Sequence, residues 1–362
     1  MKYLKTAPAV FAVDRSYQIM VQLEGECLFS VKIGEEYYYD ETNGIMNSLS
    51  EHHRVSVPMS ELDRYGKYTV HVTPIKERKP YFTKTDEAVE YTFSFRPVRD
   101  EGARAYHISD AHNRIDGPIS SCKAFGDIDF LILNGDVIDH SGDPSKFANV
   151  YEICAALTRG EIPVVFSRGN HDMRGRYAER FAEYTPNHLG STYYTFRLGS
   201  IWGMLLDCGE DKDDSHAEYG LTVACHVFRK RQTEFIKSVI SNARNEYLAD
   251  GVKTKLIISH KPFCEVTEPP FDIEQEIYSH WTALLREHVK PDLMISGHTH
   301  KMEIRPVGSE RDTLGQPCPV VIASEPSGET YASCGFEFRD GGVKCTFTDS
   351  TGAVLRTEEI SF

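Results

Sequence analysis

The sequence predicts an α/β (α+β) fold preceded by a small all-β domain. Residues 1–97 contain short runs of alternating polarity separated by turn residues, with no helical period between them. From residue 105 onward, apolar runs alternate with amphipathic segments that have the helical period. A chain of 362 residues is long enough for about two domains. We therefore expect an accessory domain over residues 1–97 and an α/β domain over residues 98–362.

The N-terminal strands follow one another in quick succession. Their polar and apolar residues alternate, as in a strand with one buried face. The predicted strands are residues 17–23, 27–33, 53–57, 68–72 and 89–95. This pattern is typical of a small β-sandwich of the fibronectin III or immunoglobulin type. The polar, proline-containing stretch at residues 96–102 marks the expected domain boundary.

The second region has the pattern of a sheet covered by helices. Its apolar runs are residues 106–109, 130–133, 162–166, 256–258 and 293–295. Amphipathic helices are predicted at about residues 145–159, 174–184, 230–248 and 275–288. Further apolar runs at residues 320–323, 335–338 and 343–347 indicate an added antiparallel layer. In such α/β sheets, ligands bind at the carboxyl ends of the strands.

The composition narrows the range of functions. A formal net charge of −14 disfavours a nucleic-acid groove, because such binding depends on Lys and Arg neutralising phosphates. No apolar stretch approaches the roughly 20 residues that a membrane-spanning helix needs. The apolar run at residues 7–13 is interrupted by Pro8 and closed by Asp14, which argues against a secretory leader. We therefore expect a small-molecule substrate and neither a nucleic-acid nor a membrane partner.

The cysteine pattern indicates a reducing compartment. The chain has nine cysteines, an odd number, and none are spaced as Cys-x-x-Cys. Such a set suits neither a disulfide framework nor a zinc ribbon. Several cysteines lie in apolar runs, where a buried thiol acts as a small hydrophobic side chain. The expected location is the cytoplasm.

Five short polar motifs follow the apolar runs. They are Asp110-Ala-His112, Gly135-Asp136-Val-Ile-Asp139, Gly169-Asn170-His171-Asp172, Ser259-His260 and Gly297-His298-Thr-His300. A glycine beside a strand end lets a short side chain reach into a cleft. Carboxylate, amide and imidazole donors without thiolate are typical of transition-metal ions such as Mn, Fe or Zn. Each motif alone is weak evidence, whereas the ordered set predicts two metal ions that share one carboxylate.

In order and spacing, these motifs resemble those of the calcineurin-like metallophosphoesterases, over residues 105–325. The resemblance implies a four-layer αββα sandwich and hydrolysis of phosphate esters. It implies a first metal held by Asp110, His112, Asp136 and His300. It implies a second metal held by Asp136, Asn170, His260 and His298, so that Asp136 bridges the two ions. Two such ions generate a hydroxide nucleophile between them and clamp the phosphate oxygens.

The resemblance also implies two catalytic residues outside the metal ligands. It makes His171 the group that protonates or stabilises the leaving oxygen. Asp139 is expected to hydrogen-bond to His171 and orient it. For Asp172 two interpretations stay open, a part in the site and a structural role in the turn.

Substrate contacts are harder to predict. Arg114 and Arg174 each follow a motif by two residues, so either guanidinium could bind a phosphate with two hydrogen bonds, or be a solvated or structural arginine. Residues 209–220 form a polar loop that would overhang the cleft. His216 and Tyr219 in this loop are further candidates for substrate contact.

Departures from better-known relatives restrict the resemblance. Purple acid phosphatases also pair an N-terminal β-sandwich with this fold, but they have a tyrosine ligand where this chain has Asp139. The Ser/Thr protein phosphatases have an arginine after the equivalent of Asp139, whereas here His140 follows. Protein dephosphorylation is therefore disfavoured. The motif order also resembles that of bacterial cyclic-nucleotide phosphodiesterases, which keeps a phosphodiester substrate open.

Three functional hypotheses follow. The first is a hydrolase of phosphate mono- or diesters of small molecules. It is favoured because every metal-ligand position of the motif set has a suitable residue. The second is a binding or scaffold protein that keeps the fold without turnover. The third is a nuclease, which the acidic charge disfavours, although residues 229–231 are basic.

Overall fold

The computed structural model describes residues 1–42 and 44–362. The described residues before position 98 form strands and one short helix. The strands are β1 (Ala9–Val13), β2 (Ser16–Ile33), β3 (Glu36–Tyr39), β4 (Glu41–Thr42), β5 (Met46–Asn47), β6 (Leu49–Pro58), β7 (Lys67–Glu77), β8 (Lys84–Thr85) and β9 (Val89–Ser94). The helix is α1 (Met59–Tyr65), which ends at Gly66 in the left-handed conformation.

The rest of the chain alternates strands with helices and ends in strands. The helices are α2 (Asp116–Phe125), α3 (Ala148–Thr158), α4 (Ala178–Phe181), α5 (Cys225–Ser241) and α6 (Gln275–Leu284). Short 3-10 helices are Pro144–Phe147, His171–Met173 and Ala243–Asn245, and a π-helical turn is Leu285–Val289. The strands are β10 (Arg104–Ile108), β11 (Phe130–Asn134), β12 (Val164–Ser167), β13 (Tyr194–Leu198), β14 (Ile201–Leu205), β15 (Thr254–Ile258), β16 (Leu293–Ser296), β17 (Glu303–Arg305), β18 (Val320–Ile322), β19 (Glu325–Ser327), β20 (Thr330–Arg339), β21 (Gly342–Asp349) and β22 (Val354–Ser361).

Two sheets form the centre of the α/β region. The first has the order β22-β21-β20-β10-β11-β12-β1-β2-β7-β8, and the second has the order β13-β14-β15-β16-β18-β17. Strands β10, β11 and β12 are parallel in the first sheet, and β14, β15, β16 and β18 are parallel in the second. Every residue of β11 is buried, as expected for a parallel strand covered on both faces.

Three apolar cores give the fold four layers. One core lies between the two sheets and joins Ile132 of β11 to Ile258 of β15. A second lies between the first sheet and α3, where Leu133 and Tyr151 belong to one cluster. A third lies between the second sheet and α5 and α6 and includes Trp281. Helices on the outer faces of two stacked sheets confirm the predicted αββα sandwich with its N-terminal strand region.

The N-terminal region is less separate than the sequence indicated. Strand β1 pairs with β2 on one side and, in parallel, with β12 of the α/β region on the other, so that Phe11 faces Val164. Val10 and Val13 of β1 share the core that lies between the two sheets. The boundary at residue 97 remains a prediction, but residues 1–97 are not an isolated accessory module, because hydrogen bonds and a common core cross that boundary.

Several local predictions are corrected. The apolar run at residues 7–13, considered above only as a leader, contains β1; a short fully apolar run is typical of a strand buried on both faces. Helix α1 interrupts a region predicted to contain strands alone. Helix α2 was not predicted, because Gly117 and Pro118 lie in it; they are tolerated in the first turn. The helix predicted at 174–184 is only the four residues of α4.

Two observations concern the compartment and the membrane. All nine cysteines are buried free thiols. Within the described ranges, no helix is long and apolar enough to cross a membrane. The cytoplasmic location stays a prediction.

The pairing of β1 with β12 leads to the first prediction. Phe11 is fully buried and contacts Phe166 of β12 edge to face, with ring centroids 6.1 Å apart. Phe11→Ala should lower the free energy of unfolding by about 3–5 kcal/mol, measured by urea denaturation, because it leaves a cavity between the regions. Phe82→Ala is the control, since Phe82 is 93% exposed and its loss should cost less than about 0.5 kcal/mol. Two separate unfolding transitions, of which Phe11→Ala shifted only one, would show that residues 1–97 are an independent domain.

Candidate metal centre

The polar motifs meet because each follows a strand that ends at the same edge of a sheet. Asp110 follows β10 and Asp136 follows β11, while His260 follows β15 in the second sheet. Backbone hydrogen bonds join these loops to one another. The Asp110 amide donates to the Gly135 carbonyl at 3.1 Å, and the Gly297 amide donates to the His260 carbonyl at 2.9 Å. The site is therefore built where the edges of the two packed sheets meet.

The backbone at the motifs adopts a conformation that non-glycine residues seldom use. Positive φ angles in the left-handed region occur at Asp110 (52°), His112 (45°), Asp136 (52°), His298 (68°) and His300 (54°). Such angles cost free energy and persist where the surrounding structure enforces them. Five of the predicted ligands have such angles, which indicates that the backbone here is held in the conformation that directs these side chains into the site.

Glycines beside the ligands allow the loops to approach closely. A Cβ atom on Gly169 would overlap the Asp136 carboxylate. A Cβ atom on Gly297 would overlap the Ser109 hydroxyl and lie 2.6 Å from Asp110 Oδ2. These positions exclude any side chain, which agrees with the geometric role predicted for the motif glycines.

The first group of candidate ligands is Asp110, His112 and His300. His300 Nε2 lies 3.3 Å from Asp110 Oδ1 and 3.1 Å from His112 Nε2. Asp110 is fully buried and is held in place by the Ser109 hydroxyl, which donates to Oδ2 at 2.6 Å. Two imidazole nitrogens and one carboxylate therefore converge on one point.

The second group is Asp136, His260 and His298. His260 Nε2 lies 3.1 Å from Asp136 Oδ2 and 3.8 Å from Asp110 Oδ1, so that it contacts carboxylates of both groups. The Asn170 amide oxygen lies 3.0 Å from His298 Nδ1, which places the predicted amide ligand at this group.

The other ring nitrogen of His260 fixes the orientation of that ring. His260 Nδ1 donates to the Asn134 carbonyl at 2.7 Å. Its Nε2 atom is buried and has no hydrogen-bond partner in the described part of the chain, although it faces two carboxylates. A histidine held through one nitrogen, with the other directed at carboxylates, has the arrangement of a metal ligand.

His171 and Asp139 lie next to the first group. The His171 amide donates to Asp136 Oδ1 at 2.8 Å, and its ring Nδ1 donates to the backbone carbonyl of Asp139, also at 2.8 Å. The Asp139 carboxylate is 3.9 Å from His171 Nδ1 and 3.5 Å from His112 Nδ1. Asp139 thus contacts His171 through its main chain, and its carboxylate lies nearer to His112. These three side chains form a third group with the spacing of metal ligands.

The buried carboxylates attract positive charge. Burial alone would lower the pKa of His260, but Asp136 and Asp110 raise it to about 10. Burial alone would raise the pKa of Asp110, but His260 and His300 keep it below its ordinary value. Burial and the neighbouring His260 lower the pKa of His298 to about 4, which keeps that imidazole neutral and the lone pair of one ring nitrogen available. The site is thus a pair of buried anions surrounded by nitrogen donors, which fits a bound cation.

Asp172 has the structural role in this arrangement. Its Oδ2 atom accepts hydrogen bonds from the amides of Gly169 at 2.8 Å and Asp136 at 3.1 Å. It therefore ties two ligand loops together at their turns.

A cavity of about 340 Å³ opens beside both groups. Its walls combine candidate ligands with residues of other loops. They are Asp136, Asn170, His171, Asp211, Lys261, Pro262, Glu265, Thr267, Phe271, His298, Thr299 and His300. Lys261, Asp211 and Phe271 were not predicted as lining residues; the signals were that Lys261 adjoins a ligand motif and that Asp211 belongs to the 209–220 loop expected to overhang the cleft.

The four predicted substrate contacts do not line this cavity. Arg114 donates to the Thr330 carbonyl at 3.1 Å. His216 lies beside Glu218, with its Nδ1 atom 4.0 Å from that carboxylate. Tyr219 is buried, and its hydroxyl donates to Asp211 at 2.9 Å. These contacts give the three side chains structural partners within the protein.

Arg174 is occupied by carboxylates. Its guanidinium donates to both oxygens of the buried Glu210, at 2.8 and 2.7 Å, and lies 3.3 Å from Asp211. A bidentate pair of this kind is strong and directional. The Nη1 atom lies 3.4 Å from His171 Nε2. Arg174 therefore connects His171 to the 209–220 loop, and its charge is already paired with carboxylates of that loop.

The profile of the calcineurin-like phosphoesterases matches residues 103–302, which is more than half of the chain and contains every candidate ligand. This chain belongs to the calcineurin-like phosphoesterase family. Membership implies bound divalent metal ions and a phosphoester substrate. No curated protein matches the chain by sequence.

Solved structures extend the likeness to the whole fold. A purple acid phosphatase from yellow lupin (Lupinus luteus) seeds is 14% identical, with a TM-score of 0.62, over 98% of this chain and 74% of that chain. The match therefore includes the N-terminal strands of this phosphoesterase. The protein TT1561 of Thermus thermophilus is 12% identical, with a TM-score of 0.43, over 72% of this chain and 99% of that chain. Vacuolar Protein Sorting 29 from Cryptosporidium parvum is 12% identical, with a TM-score of 0.36, over 72% of this chain and 100% of that chain. At 14% identity, the likeness to the lupin phosphatase is one of fold.

The close approach at Gly297 gives a prediction about metal binding. Gly297→Ala should reduce the metal bound per chain, because the new Cβ would displace Ser109 and Asp110. Elemental analysis after dialysis against Mn²⁺ or Zn²⁺ measures this. Gly25→Ala is the control, since nothing lies within 4 Å of a Cβ at that position. Normal metal content in Gly297→Ala would contradict the role assigned to Asp110.

Proposed function

We propose that this phosphoesterase is a dinuclear metal-dependent hydrolase of phosphate mono- or diesters of small molecules. The observation that carries the proposal is the pair of ligand groups, Asp110-His112-His300 and Asp136-His260-His298, which His260 connects by contacting both carboxylates. Asp136 is the residue proposed to bridge the two ions. Bound ions would supply an activated water and positive charge to stabilise the phosphoryl group.

The choice of metals follows from the donor set. The two groups and Asn170 offer imidazole, carboxylate and amide donors without a thiolate, since all nine cysteines lie outside them. Such donors suit Mn, Fe or Zn. The third group, with Asp139 and His171, is more exposed and stays outside this assignment.

The chain's own residues supply proton transfer. His171 Nδ1 keeps its proton in a hydrogen bond to the Asp139 carbonyl, so Nε2 is the atom proposed to give a proton to the leaving oxygen when the ring is protonated at both nitrogens. The ring lines the cavity, and Arg174 restrains it from the other side. His171 is therefore proposed as the general acid, and Asp139 as the residue that positions it through the main chain.

A small substrate fits the cavity better than a macromolecule. A volume of about 340 Å³ lies at the lower end of the range for small-molecule sites. The net charge of −14 continues to disfavour a nuclease. A scaffold without turnover is the alternative, and it requires neither bound metal nor His171.

Metal loading tests the proposal directly. After reconstitution with Mn, Fe or Zn, elemental analysis should find about two ions per chain. The loaded protein should hydrolyse 4-nitrophenyl phosphate or bis(4-nitrophenyl) phosphate, and chelation should abolish turnover. Asp136→Ala should lose metal and activity together, because Asp136 belongs to the second group. Asp127→Ala, which removes an exposed carboxylate, is the control. Full metal content without hydrolysis of either ester would favour the scaffold.

His171 allows a test of catalysis apart from metal binding. His171→Ala should lower kcat by about 10²–10⁴-fold, the usual contribution of a positioned acid. Metal content should stay at the wild-type level. His280→Ala, which removes an exposed histidine on α6, should change neither quantity. Loss of metal in His171→Ala would show instead that the third group, with His112 and Asp139, holds an ion.

A further inference from the structure

One lysine lies in the cavity beside the ligand groups. Lys261 follows His260 directly and is 7% exposed. It lines the same cavity as His171 and His298. Its ammonium forms no hydrogen bond or salt bridge within the described chain, and its Nζ atom lies 5.8 Å from the centroid of the Tyr278 ring. The Lys261 side chain is thus largely buried while its ammonium faces the cavity without a counter-ion, where an anion could pair with it.

The acidic side chains that share this cavity already have partners. Glu265 lies 2.8 Å from Arg305 and 3.3 Å from Arg311. Asp211 lies 3.3 Å from Lys212, which also contacts Glu218 at 2.8 Å.

Asp211 also lies 3.3 Å from Arg174 and accepts a hydrogen bond from Tyr219 at 2.9 Å. Lys261 is therefore the one cation lining the cavity, among the residues that the structure describes, that lacks a counter-ion.

The cavity is larger than one phosphoryl group requires. Beyond the ligands its wall includes Pro262, Thr267 and Phe271, the last of which is 39% exposed, together with the paired carboxylates of Asp211 and Glu265. Because His171 and Lys261 line one cavity, an alcohol whose oxygen faces His171 can extend along this wall to Lys261. The space therefore suits the alcohol part of an ester, with one unpaired cation near the Pro262 and Phe271 side chains.

We propose that Lys261 binds a second anionic group, carried by the alcohol of the substrate. The preferred substrates are then phosphate esters whose alcohol bears a carboxylate or another phosphate. This inference rests on the proposed phosphoesterase function and specifies its substrate class. Lys261 is a specificity-determining residue in this role, whereas the scissile phosphate is bound by the metal centre.

A matched pair of esters tests the inference on the unmodified protein. Phenyl phosphate and 3-carboxyphenyl phosphate share the scissile bond and the ring and differ by one carboxylate. The metal-loaded wild type should hydrolyse the carboxylated ester with a kcat/KM about tenfold higher or more, the effect of one charge-assisted contact. Equal values for the two esters would overturn the inference. No hydrolysis of either ester would instead contradict the proposed function.

Substitutions then identify the residue responsible. Lys261→Met keeps the length of the side chain and removes the ammonium, so the ratio of the two kcat/KM values should fall to about one. Lys261→Arg keeps a cation and should retain much of the preference. Lys230→Met removes an exposed lysine and changes the net charge equally, so it should keep the wild-type ratio. An unchanged ratio in Lys261→Met, including an equal loss of both activities, would overturn the assignment. The wild-type comparison stands even if a variant fails to fold.

Discussion

Two buried carboxylates set the requirements that the rest of the site meets. Asp110 and Asp136 are almost fully excluded from solvent, yet they lie within 4 Å of the same atom, His260 Nε2. Like charges brought together in a protein interior need positive charge and hydrogen-bond donors. Main-chain amides and Ser109 supply the donors, and the imidazoles of both groups surround the place where a cation belongs. Hydrogen bonds between the loops, such as those from the Asp110 amide to the Gly135 carbonyl and from the His112 amide to the Asp136 carbonyl, hold the left-handed backbone in place, and a bound cation would add to this stabilisation.

The ligand geometry depends on packing far from the motifs. Asn170 belongs to the loop after β12, and β12 pairs with β1 from the N-terminal region. The core between the sheets includes Val10 of β1 as well as Ile258 of β15, which leads to His260. Strands that are far apart in the sequence, β1 and β15, therefore support the loops that carry the ligands. A rigid support of this kind suits a site whose ligands must converge within tenths of an ångström.

The sequence predicted the local parts of this structure and missed the long-range ones. Ligand motifs could be recognised because each places a donor within a few residues of the end of a buried strand, and three of the five also have a glycine beside the donor, as at Gly135-Asp136. The occupation of Arg174 could not be predicted, because its partner Glu210 is 36 residues away. The same holds for β1, whose short apolar run does not reveal that its neighbour is β12. The spacing of the motifs thus identifies the donor residues, whereas only the tertiary structure shows which charged side chains lack a partner.

Different residues therefore account for the type of reaction and for the choice of substrate. Residues that follow strand ends define the metal centre, and their order in the chain identifies the family. Residues of the connecting segments, such as Asp211 and Phe271, form the remaining wall of the cavity and carry no motif. Lys261 belongs to both sets: it is adjacent in sequence to the candidate ligand His260, and it lines the cavity without a counter-ion. In the proposed role of Lys261, a single position next to a ligand would change which esters bind while the candidate metal centre stays the same.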